Sequence, residues 1–338
     1  MDPLKILAVG DPHLKISNIE TLRLLADKIC EKITLLAPEI VIVLGDLHDT
    51  HEKINVLAWI EEKKFLLKLW ERTLTMGGKF YYLMGNHDIP SNNLFLEKIH
   101  PFLFSENQFE VIDTPISLKT RVGTFAFVPY VPPGRFHEAL SLLNLAGANY
   151  DYRSIFCHQE FKGADYGHSI ISRDGDLWDK ENALVISGHI HKYGYLQSNI
   201  LYVGSPYQVS FGEDEEKSIS LFTYEEQYVT ETRIDLDMPK KKTFTTNLAG
   251  LEEIEFFPND ENRLIITDTS VNINNFKASE VYKKVQDIAK VIFKPTDKVF
   301  IKRSVAKKTF LDLLRDSVKN ENTIVSEVFE EVVHGITA

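Results

Sequence analysis

The chain has 338 residues, 43% of them hydrophobic and 11% aromatic, and a formal net charge of −11. This composition excludes disorder and collagen-like repetition, and the two isolated cysteines, Cys30 and Cys157, exclude a disulfide scaffold and suit a reducing compartment. The first apolar stretch, LKILAV, is too short for a secretory core or a membrane span, so a soluble, cytoplasmic protein with no membrane partner is expected.

Leu4 to Val9, Ile40 to Leu44 and Phe80 to Leu83 read as buried strands, being apolar and followed closely by Gly-Asp or Gly-Asn-His. Between them, Ile19, Leu22, Leu25, Ile29, Ile33 and Leu36 predict a helix over 19–36, and Leu57, Ile60, Phe65 and Leu69 predict one over 52–74. Strands joined by such helices pair in parallel through right-handed crossovers. Residues 108–234 are denser in strands (FEVI, TFAFVPY, RSIFC, ALVISG, ILYVG, SISLFTY and QYVTETRI). One helix is predicted there, from Arg135 to Leu145, and the acidic Gly212 to Lys217 reads as a solvated turn. The pattern predicts two packed sheets flanked by helices. After Pro239, PKKKTFTTNLAG reads as a linker, and RLIITD, a helix from about Ala278 to Val291 and KVFIKR predict a small α+β unit. Candidate helices follow at 307–318 and 324–333. The expected domains are 1–238, 239–304 and a helical segment, 305–338.

The acidity is uneven. Residues 1–238 carry −12 and residues 239–338 carry +1, with +7 concentrated in 277–319. The total speaks against a nucleic-acid partner, because phosphate contacts come from Lys and Arg, yet a local basic field binds phosphate whatever the total. Lys298, Lys302, Arg303, Lys307 and Lys308 are the candidate DNA contacts, and a solvated helical face is the competing reading.

Five motifs occur in order at or just after predicted strand ends: Asp11-Pro-His13, Gly45-Asp46, Gly85-Asn86-His87-Asp88, His158 and Gly188-His189-Ile-His191. Loops at the carboxyl ends of parallel strands converge in open α/β sheets, so these side chains can meet. Imidazole, carboxylate and amide oxygen without cysteine suit Mn²⁺, Fe²⁺ or Zn²⁺ in a non-structural site. If Asp11-x-His13 and His189-x-His191 lie on extended backbone, each pair points to one side and approaches one centre. Seven candidates are too many for one tetrahedral ion; two ions sharing a carboxylate would use them all.

The ordered set resembles the calcineurin-like metallophosphoesterase family over approximately residues 4–205. The resemblance implies a β-sandwich flanked by helices around a dinuclear site, with Asp11, His13 and His191 on one ion, Asn86, His158 and His189 on the other, and Asp46 bridging. It makes His87 the catalytic histidine, with Asp88 either orienting its ring or serving only the turn. Within the family, Gly45-Asp46-Leu-His-Asp49 and the segment Tyr202 to Glu213 are similar to the SbcD-type nuclease subunit of DNA-repair complexes, in a shortened viral form. That likeness implies a Mn²⁺-dependent DNA nuclease, with Mg²⁺, Fe²⁺ or Zn²⁺ as alternative ions, and a small C-terminal α+β capping domain. It also implies a homodimer through helices near 52–74 and 93–104, and a heterotetramer with an SMC-like, coiled-coil ABC-type ATPase docked on 307–333, whose helices alternatively pack on their own cap. Several members have histidine at the place of Asp49; here the nearby histidine is His48, so both are candidates for supporting the ligands or touching substrate, and His48 alternatively fills the turn. A phosphoesterase for a small molecule or phosphoprotein is the alternative function.

Overall fold

The computed structural model describes residues 2–50, 55–96, 109–143, 152–167, 170–297, 318 and 328–330. The chain opens with β1 (Leu4–Val9), α1 (Ile19–Leu36), β2 (Ile40–Val43), α2 (Val56–Thr75), β3 (Lys79–Leu83) and β4 (Glu110–Ile112). It continues with β5 (Ile116–Thr120), β6 (Gly123–Val128), α3 (Phe136–Ser141), β7 (Ser154–Cys157), β8 (Leu184–Ser187), β9 (Gly194–Gln197), β10 (Ile200–Tyr202), β11 (Ile219–Tyr224) and β12 (Val229–Ile234). These strands form two six-stranded sheets, ordered β12-β11-β1-β2-β3-β4 and β5-β6-β7-β8-β10-β9. In the first, β1 to β4 pair in parallel out to the β4 edge and β11 and β12 are antiparallel; in the second, β6-β7-β8-β10 are parallel and both edges, β5 and β9, are antiparallel.

Alternation along the strands builds the layers. Ile6, Ala8, Ile42 and Leu83 face Phe125, Phe127, Phe156 and Ile186 between the sheets. The alternate residues Leu7, Val9, Val41 and Tyr82 pack under α1 and α2 through Leu25, Ile29, Phe65 and Leu69. The predicted two-sheet sandwich flanked by helices is the observed fold. Helix α1 ends where Ala37 turns left-handed, with φ 46°, before Pro38, and its N–H still reaches the Ile33 carbonyl at 3.0 Å.

Several local expectations are corrected. Leu57 and Ile60 of α2 are exposed, while Glu61 and Glu62 are buried because Arg23 and Lys64 reach the first and His48 the second. The supposed linker is a strand, β13 (Lys241–Thr246), parallel to β14 (Glu261–Asp268), which in turn pairs in parallel with β15 (Ala289–Pro295). The helix expected over 278–291 is shorter: a separate α4 (Ser270–Lys277), capped by Thr269, precedes it, only α5 (Glu280–Gln286), capped by Ser279, falls within it, and the apolar run at 291–293 pairs with Leu264–Ile266 instead. Leu264, Ile266, Val285 and Ala289 form the core of this unit. KVFIKR, the five basic DNA-contact candidates, and nearly all of the 307–318 and 324–333 segments lie outside the described residues. So do residues 97–104 of the second expected dimer helix and 144–145 of the third predicted helix; residues 93–96 are not helical. Among the described residues, no helix is long and apolar enough to cross a membrane.

Candidate metal centre

The five motifs occupy the loops directly after β1, β2, β3, β7 and β8, whose parallel alignment delivers them to one end of the sandwich. Asp11, His13, Asp46, Asn86 and His158 are all buried there. The backbone in the loops is not extended: His13, Asp46 and His189 have φ of 41°, 52° and 78°, sparsely populated values that bend each side chain inward. Close approach also dictates glycine. A Cβ on Gly45, itself at φ +96°, would stand 2.7 Å from His158 Nδ1, and one on Gly85 would stand 2.2 Å from Asp46 Oδ1.

Asp46 lies between two clusters, one with His13 and His87 and one with His158 and His189. Its Oδ2 is 3.5 Å from His13 Nε2, its Oδ1 is 3.3 Å from His158 Nε2, and the His87 N–H donates to Oδ1 at 2.9 Å. His158 Nδ1 meets the Leu44 carbonyl at 2.7 Å and so carries a proton there, while Nε2 faces Asn86 Oδ1 at 3.0 Å. His189 Nδ1 stands 2.8 Å from that same oxygen and 3.2 Å from His158 Nε2. On the other side His13 Nε2 and His191 Nε2 face each other at 2.8 Å. The His189-x-His191 pair is thus split between two groups, because the bend at His189 replaces the expected extended backbone. Asp11 accepts the His189 N–H through Oδ1 at 2.7 Å, while its buried Oδ2 has no partner.

Opposed lone pairs, a bridging carboxylate and an orphaned buried oxygen are what a pair of divalent ions would satisfy; the seven residues fit such a group. The electrostatics agree. Burial pushes the Asp46 carboxyl up, but His158, His13 and His87 outweigh it and hold it well below the usual range. Burial lowers His189 to about 3 and His13 well below its ordinary value, keeping both rings neutral and able to ligate. His158 is the exception: burial would lower it too, yet Asp46 and Asp11 raise it to about 9, so an ion bound at Nε2 would have to displace a proton there.

His87 Nδ1 sits 3.0 Å from the Asp49 carbonyl, so the ring donates there. Asp88 ties the neighbouring loops by their backbone. Its carboxylate accepts the N–H groups of Asp46 and Gly85 at 2.8 Å, Leu47 at 2.9 Å and His48 at 3.2 Å, lashing the β2 and β3 loops together. His48 turns away from the cluster to pair with Glu62 of α2 at 2.7 Å. The Asp49 side chain pairs with Lys15 at 3.0 Å and approaches His13 Nδ1 at 4.0 Å.

A cavity of about 720 Å³ opens over the cluster and is also lined by Tyr130, Glu160, Tyr166, Lys192, Glu213 and Lys217, none of which the sequence marked as a site residue. Tyr166 Oη is within hydrogen-bond distance of His189 Nε2, at 2.9 Å, and Tyr130 lies beside the same ring with centroids 6.0 Å apart. The turn from Gly212 to Lys217 is not simply solvated, since Glu213 and Lys217 are turned inward.

Comparison with known proteins places this geometry in context. Residues 4–229 match the model of the calcineurin-like phosphoesterase family. A protein of Invertebrate iridescent virus 6 named as a phosphoesterase, 244L, is 35% identical over 291 residues, covering 84% of this chain and all of the relative. Another so named, 078R of Invertebrate iridescent virus 3, is 32% identical over 330 residues, covering 94% of this chain and 92% of the relative. Among solved structures, GAP50, the anchor in the inner membrane complex of Plasmodium, is similar at 16% identity and a TM-score of 0.45, over 70% of this chain and 86% of that one.

Proposed function

Because this chain belongs to the calcineurin-like phosphoesterase family, we propose that it is a DNA nuclease of the SbcD type, hydrolysing phosphodiesters with two divalent ions, Mn²⁺ foremost. The observation that carries the two-ion part is the position of Asp46 between the two histidine clusters. Asp11, His13 and His191 would hold one ion, Asn86, His158 and His189 the other, and Asp46 would bridge them. Such a pair supplies, when bound, a hydroxide near neutral pH and charge neutralisation of the non-bridging phosphate oxygens.

The chain's own residues account for the rest. His87 lines the cavity, and its Nδ1–H is held by the Asp49 carbonyl, which fixes the ring; in its doubly protonated form the ring would give the Nε2 proton to the departing alkoxide and become neutral. Asp88 holds the Asp46 and Gly85 backbones against each other and so fixes where His87 stands. For DNA as substrate, the support is the C-terminal α+β unit with Lys277, Lys283, Lys284, Lys290 and Lys294 among its described residues. Action with an SMC-like ATPase, and as a homodimer, extends the reading to partners.

The test is incubation of the full-length protein with end-labelled linear duplex DNA and Mn²⁺. Degradation that disappears in Asp46→Ala and His87→Ala supports the reading. Turnover of a phosphomonoester with DNA untouched would replace it by the small-molecule or phosphoprotein alternative.

A further inference from the structure

We propose that Glu213 and Lys217 are positioning residues for His191, and that the C-terminal unit holds them in place, so that the ion site containing His191 is coupled to that unit. The inference rests on the two-ion reading above. His191 is held at two points. Its Nδ1 faces Glu213 Oε1 at 3.3 Å, and its backbone carbonyl accepts from Lys217 Nζ at 2.8 Å. A carboxylate can only accept, so Glu213 keeps the proton on Nδ1 and turns the lone pair of Nε2 toward His13, the tautomer and direction that an ion ligand needs.

Glu213 is itself fixed. Its carboxylate pairs with Lys217 at 2.9 Å and accepts the Ser210 N–H at 3.0 Å and the Val209 N–H at 3.2 Å, so carboxylate, ammonium and turn form one rigid piece. Both side chains are largely buried, Glu213 at 15% and Lys217 at 7% exposure, where an ion pair is strong only if every partner stays in place.

The outer side of the same turn is gripped by the C-terminal sheet. The Gln208 side chain donates to the Glu213 carbonyl at 2.8 Å while accepting the N–H of Lys241, the first residue of β13, at 2.7 Å. Arg263 of β14 lies over the Phe211 ring at 4.3 Å, and Lys242 of β13 pairs with Glu215 at 2.6 Å. A continuous chain of contacts therefore runs from His191 through Glu213 and Gln208 to β13. Anything that shifts the C-terminal unit, such as a macromolecule seated on it, moves the residue that aims His191.

The experiment is a Mn²⁺ titration of the full-length protein by calorimetry, with electron paramagnetic resonance to separate spin-coupled ion pairs from single ions. Glu213→Gln should weaken one of two sites by about 10–100-fold and leave the other unchanged. At subsaturating Mn²⁺ the coupled signal should then give way to the single-ion hyperfine pattern. The double variant Lys242→Ala/Arg263→Ala, which alters only side chains on the sheet, should weaken the same site by less, and it tests the coupling even if Glu213→Gln does not fold. Equal weakening of both sites, or wild-type binding in folded Glu213→Gln, would overturn the positioning role. Wild-type binding in the double variant would overturn the coupling. A wild-type protein that takes up fewer than two ions would bring down the two-ion reading and this inference together, whereas two ions bound normally by every variant would bring down this inference alone.

Discussion

The loops around Asp46 and the C-terminal sheet around Leu264 are built from opposite materials. At the first, buried polar groups hold one another: four backbone N–H groups converge on Asp88, and Asp46 stands between two histidine clusters. At the second, a cluster of four buried apolar residues and a ring of partly buried ones carry the unit, and contacts such as Gln208–Lys241 and Lys242–Glu215 join its edge to the larger part. Buried polar networks lose heavily when one member is removed, whereas a small apolar core loses in proportion to the volume deleted. The first region should therefore respond to single-atom changes, and the second to changes of size.

The largest effect on catalysis short of losing the ions belongs to His87. His87→Ala should lower turnover by about 10²–10⁴-fold while Mn²⁺ binding persists; lost binding would make His87 a ligand rather than a proton donor. Asp88→Asn changes little in volume, yet it should cost about 1–3 kcal/mol for each N–H left without its acceptor, read from urea unfolding. A neutral outcome would break the contrast between the two regions. Leu264→Ala should cost about 2–5 kcal/mol and unfold the C-terminal unit in a separate, earlier step; a single shared step would show that the two regions do not differ in cooperativity.

The smallest effect lies at acid pH. Arg23 and Lys64 hold the Glu61 carboxyl down to about 2, against an ordinary 4.5. Because the folded value is the lower one, its contribution is fully present above the ordinary value and disappears as pH falls through about 2. Glu61→Gln should flatten that part of the stability profile, and an unchanged acid limb would assign the loss to other carboxylates.

The contrast also explains what could be read from the sequence. Ligands need particular residue types at strand ends, so Asp11, His13, Asp46, Asn86, His158, His189 and His191 were legible as a candidate set, and the buried strands that deliver them were legible as apolar runs. The splitting of His189 from His191 was not, because it depends on a left-handed bend at a non-glycine residue. Glu213 and Lys217 were hidden for a different reason: a charged turn looks solvated until a partner histidine arrives from 22 positions away. Likewise Lys241–Thr246 places two lysines and three threonines around a single phenylalanine, too polar to suggest a strand without its neighbour β14.

The central claim is that Asp46 joins two ion sites, and Mn²⁺ titration of the wild-type protein against Asp46→Ala tests it most directly. The account predicts two ions per wild-type chain and the weakening of both in the variant. Loss of only one ion, with the other bound as before, would contradict it.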